Sequence, residues 1–96
     1  MLQENIANFL NECKHYQFSE KAIQAFTLRL QELNRFMTDH QIRSIQDITY
    51  RHLLDFVISG EVSVHVKKVR VWTLHQFFHY LEFHHLVSVN IAQQLP

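Results

Sequence analysis

One glycine and one proline stand in 96 residues, and that scarcity removes most of the turn chemistry on which β-hairpins depend. A single cysteine, Cys13, precludes an internal disulfide and points to a reducing compartment. No apolar run approaches the roughly 20 residues of a membrane-spanning helix, and no basic-then-apolar leader opens the chain. The expectation is therefore a soluble, cytoplasmic protein with no membrane partner. Net charge is missing as well: nine basic and nine acidic side chains give a formal charge of zero. The chain is thus not basic as a whole in the manner of many nucleic-acid binders. At this length it forms one domain, residues 1–96, with a single core and little apolar surface to spare.

What is present recurs at three- and four-residue spacing, which makes the fold class all-α. The pattern predicts a compact bundle of four main helices followed by a short C-terminal helical turn. A first helix runs from about Leu2 to Cys13, with Ile6, Phe9, Leu10 and Cys13 on one face. Ser19 caps the second, and Phe18 and Ile23 sit where a hydrophobic staple places them. Ala22, Ile23, Phe26, Leu30, Leu33 and Met37 form its apolar arc; Lys21, Gln24, Thr27, Gln31 and Arg35 lie opposite. Thr49 caps a third helix that extends to about Ser59 and packs through Leu53, Leu54, Val57 and Ile58. Gly60 follows at the place where a left-handed residue commonly ends a helix. Ser63 caps the fourth, and Asn90 caps a last turn ending at Leu95 and Pro96.

The fourth segment, Ser63 to Leu81, carries two messages. Val66, Val69, Thr73, Leu74, Phe77, Tyr80 and Leu81 form a broad packing arc, whereas Lys68, Trp72, His75, His79 and Glu82 occupy the other side. No acidic residue stands between Glu61 and Glu82, while Lys67, Lys68 and Arg70 cluster near the start. Such a local imbalance suits a polyanion. On the helical wheel Lys67 and Arg70 fall near the packing arc, so their reach to phosphate requires the first turn to project past the bundle. Lys21 and Gln24 occupy the first turns of the second helix, where free amides and the helix dipole attract phosphate. Gln24 could also read a base edge from the major groove. Trp72, the only tryptophan, is placed either to pack against helix one or an unseen domain, or to touch a partner or DNA; Phe83 shares its side.

Catalytic chemistry finds little purchase. His75 and His79 share a helical face, but glutamine follows His75 where a zinc-protease pattern needs glutamate, and no third ligand is placed by spacing. No metal or other cofactor is expected. Cys13 falls on an apolar face, where a thiol is inert, and Tyr16, Tyr50 and Tyr80 lack the arginine cluster that a phosphotyrosyl intermediate requires.

Taken in order, Ser19 before a helix with Phe26 and Leu30, Ile45-x-x-Ile48-Thr49 before a short helix with Leu54 and Phe56, then Ser63 and Leu74-x-x-Phe77-Phe78-x-Tyr80-Leu81, then Leu86 and Asn90-x-Ala92 form a series. The series spans nearly the whole chain and resembles the N-terminal SAM-like core-binding domain of tyrosine recombinases, the phage-integrase family. The resemblance implies a small helical domain that clamps duplex DNA through helices two and four. Integration or recombination would then be carried out by a separate C-terminal catalytic domain with its Arg, Lys, His, Arg, His and Tyr constellation. The chain by itself is then not an enzyme, and Pro96 falls about where the family's interdomain linker begins. Its expected partners are double-stranded DNA at a recombination site, the catalytic domain of the same protein and other recombinase protomers on DNA. Ser19, Lys21, Gln24, Lys67, Lys68, Arg70 and His75 are the expected DNA contacts, with Trp72 a contact to DNA or to a partner. The sequence departs from the family at Ala22, where Thr is frequent, at Ile91, where Pro is usual, and at His75, where Arg is common. A neutral imidazole at position 75 donates a hydrogen bond but brings no fixed charge. The alternative is a helical protein-interaction module in which Trp72 and Phe83 anchor a partner.

Overall fold

The computed structural model describes all residues from Met1 to Pro96 and contains only helices and turns. In chain order these are α1 (Leu2–His15), α2 (Glu20–Asp39), a 3-10 turn at Ile45–Asp47, α3 (Tyr50–Val57) and α4 (Val64–Phe83). No helix is long and apolar enough to cross a membrane. The C-terminal segment after α4 is a series of turns rather than a helix. There the Asn90 side chain accepts from the amide of Ala92 at 3.0 Å, and Leu95 N–H donates to the Ala92 carbonyl at 3.0 Å.

Each of the three expected caps forms. The Ser19 hydroxyl accepts from Ala22 N–H at 3.0 Å, and the Ser63 hydroxyl accepts from Val66 N–H at 3.2 Å. Thr49 accepts from His52 N–H while His52 Nδ1 accepts in return from Thr49 N–H, a capping box closed by histidine instead of the usual Glu or Gln. These bonds satisfy amides that the first turn of a helix leaves free.

The C-terminal ends use a device that the glycine count conceals. Gln17, Gln41 and His85 adopt left-handed backbone, with φ near +60°, one residue past the caps of α1, α2 and α4. The next amide then reaches back over the turn: Phe18 to the Cys13 carbonyl, Ile42 to Met37 and Leu86 to Leu81, at 3.3, 2.8 and 2.8 Å. This is the Schellman arrangement, formed here without glycine. Gly60 supplies the left-handed residue of the α3–α4 turn.

Helix α4 is the centre of the bundle. Leu74, Phe77, Phe78 and Leu81 are buried on it, against Phe26, Leu30, Leu33 and Met37 of α2, Phe9 and Cys13 of α1 and Leu53 and Phe56 of α3. Phe9 alone meets Phe26, Phe77 and Tyr80, with ring centroids 5.4–5.8 Å apart. Ala92 and Leu95 fold back to close the remaining side. One expected packing residue is displaced: Ile58 is 62% exposed, because α3 ends at Val57 and Phe56 takes the inward position.

A left-handed conformation costs an L-residue about 1–2 kcal/mol, partly offset in glycine by its greater unfolded-state entropy. Gln41→Gly should therefore raise stability by ~0.5–1 kcal/mol, which thermal unfolding would register as a Tm increase of about 3–6 °C. An unchanged or lower Tm would contradict the strained cap.

Candidate functional site

The Glu32–Arg70 ion pair links the C-terminal half of α2 to the N-terminal half of α4. At the other end, Phe18, which precedes α2, shares a groove with His79, Tyr80 and Phe83 of α4. The two helices are therefore antiparallel. Ser19, Lys21 and Gln24 lie at one end of the pair and Lys67 and Lys68 toward the other. Eleven residues of α2 separate Lys21 from Glu32, about 16 Å at helical rise. The residues expected to contact DNA thus do not converge on one pocket, and only an extended ligand could touch both groups.

Arg70 departs from its expected role. It is buried, at 5% exposure. Its Nε donates to Glu32 Oε1 at 3.2 Å, and its Nη1 is shared among the carbonyls of Phe56, Val57 and Ser59 at 3.2, 3.2 and 2.8 Å. The guanidinium carbon lies 4.9 Å from the centroid of the Phe56 ring. A cation at the C-terminal end of α3 neutralises its partial negative charge, donates to the Val57 and Ser59 carbonyls and adds a donor to that of Phe56, which already accepts from Ser59. Arg70 therefore holds α3 to α4 and cannot present its charge to a phosphate. Position 70 lies on the packing arc of α4, which was the signal for this role; the neighbouring lysines obscured it.

Of the other arginines three are paired, and exposed Arg43 is not. Arg29 pairs with Glu32 at 3.3 Å, Arg35 with Asp39 at 3.8 Å and Arg51 with Asp55 at 3.2 Å. None of the four lysines has a carboxylate partner. Lys68 is exposed and Lys67 half-buried, while Lys21 and Gln24 are exposed on the first turns of α2. Ser19 is exposed, but its hydroxyl is occupied by the cap.

Trp72 is 40% exposed and packs on Phe26 of α2, with ring centroids 4.6 Å apart, rather than on helix one. Half-buried His75 approaches the C-terminal segment, its Nε2 lying 3.2 Å from the Leu95 carbonyl. Side chains of His, Cys, Asp and Glu come together in no group of three that could ligate a metal.

No protein-family model, curated protein or solved structure matches this chain.

Sequence reasoning missed a second feature, a groove of about 280 Å³ between α1 and α4. Phe9, Cys13 and Phe18 contribute to its lining, and Tyr16 and Phe83, 68% and 66% exposed, stand among its residues. Glu12 belongs to it too and accepts from His84 Nε2 at 2.9 Å. Burial, reinforced by the Glu12 carboxylate, pushes the Cys13 thiol up to about 11 and raises the Tyr80 phenol as well. Cys13 is therefore a thiol, not a thiolate, at neutral pH. Because its folded value exceeds the ordinary one, its neutral form stabilises the fold below about pH 9, and that contribution fades as pH rises toward 11.

Two substitutions separate the cations. Arg70→Met should lower the unfolding free energy by ~2–4 kcal/mol, since it takes the donor from the Val57 and Ser59 carbonyls and removes a partner of Glu32. Lys68→Ala should change it by less than ~0.5 kcal/mol. Equal effects in urea denaturation would refute the buried clamp.

Proposed function

We propose that this chain is a DNA-binding domain whose contacts are made by α4 and the start of α2, as the core-binding part of a site-specific tyrosine recombinase or integrase. Strand cleavage is assigned to a separate catalytic domain. The observation that supports binding is the placement of two neighbouring lysines: Lys67 and Lys68 remain without carboxylate partners on a helix that has no acidic residue before Glu82. Lys21 and Gln24, beside the free amides of α2, form a second point of anion attraction. The two points suit a polyanion and not a small anion. Arg70 drops out of the contact set and serves as a positioning residue: by tying α3 to α4, it fixes the part of α4 that carries Lys67 and Lys68.

With few charges engaged, binding should be weak and governed by phosphate contacts, which fix register without reading sequence. Each contact contributes a slope of about −0.9 in log K against log salt.

A second reading, a protein-interaction module, is favoured by the exposed rings of Tyr16 and Phe83 beside the α1–α4 groove. The two readings separate by charge substitution. In anisotropy titrations with a labelled duplex at low salt, Lys67→Ala/Lys68→Ala should weaken binding at least ~10-fold and reduce the salt slope by about 2, with helicity unchanged. Absence of duplex binding by the unmodified chain would remove the DNA reading. An affinity indifferent to the two lysines would exclude α4 as the contact surface.

A further inference from the structure

Eight histidines stand in a chain whose other charges cancel, so its net charge between pH 5 and 8 follows imidazole protonation. Three of the eight, His65, His75 and His79, are on α4 with Lys67 and Lys68. His65, Lys68, Trp72, His75 and His79 succeed one another at steps of three or four residues, which places them in one stripe along the helix. All but half-buried His75 are exposed.

The surroundings of the three rings permit protonation. His65 makes no hydrogen bond or ion pair, and the acid nearest in sequence is Glu61 in the preceding turn. When Nε2 of His75 carries a proton it donates to the Leu95 carbonyl, leaving Nδ1 free to take a second proton. His75 and His79 share a shallow cavity with Glu82 of α4 and with Asn90 and Gln93 of the C-terminal segment. Across the groove toward α1, His79 is accompanied by Glu12, Cys13, Tyr16 and Tyr80. The carboxylates that face the stripe are thus Glu82 and Glu12, the latter already engaged by His84.

We infer that the histidine stripe makes polyanion binding by α4 pH-dependent. The two lysines act alone above the histidine range, and three imidazolium groups join them as pH falls. This inference rests on the DNA reading above and assigns regulation to the same surface. The sign is fixed by charge: protonated rings attract phosphate, so affinity rises as pH falls. Three added phosphate contacts would steepen the salt slope by up to about 2.7 and, at moderate salt, tighten binding ~10–100-fold.

The test is an anisotropy titration of the full chain with a labelled duplex of random sequence at pH 7.5, 6.5 and 5.5, with circular dichroism at each pH to confirm the fold. His65→Gln/His79→Gln removes two rings of the stripe. His15→Gln/His40→Gln removes two exposed rings near the ends of α1 and α2 and matches the change in total charge. The expected result is tightening of ~10–100-fold for the unmodified chain between pH 7.5 and 5.5, largely lost in the stripe variant and retained in the matched one. Binding that does not change with pH would overturn the inference while leaving the DNA reading in place. So would an equal gain in both variants, which would trace the effect to overall charge. No binding at any pH would overturn both.

Discussion

The bundle depends on one buried cation. Arg70 reaches from the middle of α4 to the carboxylate of Glu32 on α2 and to the last carbonyls of α3. An eight-residue helix such as α3 has little stability of its own, so its position is set by what it packs on and by what caps its end. Phe56 provides the packing, and the guanidinium above its ring provides the cap. The burial cost of the charge is offset by an ion pair and by hydrogen bonds to backbone carbonyls, of which those of Val57 and Ser59 have no other donor.

That arrangement divides labour among the cations. Arg70 alone ties elements together through its planar, directional group; Arg29, Arg35 and Arg51 pair each within one helix, and exposed Arg43 has no carboxylate partner. The lysines have no carboxylate partner; Lys14, Lys21 and Lys68 are exposed and Lys67 is half-buried. A formal charge of zero therefore conceals a surface on which Lys67 and Lys68 form an uncompensated pair. The histidines of α4 extend that surface along the helix.

Much of the fold was legible because its signals are local. Ser19, Thr49 and Ser63 mark helix starts through one hydroxyl each, and the arcs of α1 and α2 follow from spacing alone. Helix ends were less legible. Gln17, Gln41 and His85 take left-handed backbone that neither residue type advertises; the apolar residue that follows packs on the core at Phe18 and Ile42, while Leu86 stays exposed. Ile58 looked like a core residue until α3 ended one position before it. At the candidate site, Lys68, Lys21 and Gln24 were readable as exposed polar positions, and Lys67, placed near the packing arc by its spacing, is half-buried. Arg70 was not, because its role depends on Glu32, 38 residues away in sequence, and on the carbonyls of a helix end that no local pattern reveals.

The contrast between Arg70 and its neighbours can be observed directly. In a nitrogen-resolved NMR titration of the chain with duplex DNA, the Nε–H of Arg70 should exchange slowly with solvent and keep its position. The backbone amides of Lys67 and Lys68, together with those of Lys21 and Gln24, should move and saturate together. An Arg70 side-chain signal that exchanges quickly and shifts with DNA, while the lysine positions stay fixed, would contradict the assignment of structure to the one and binding to the others.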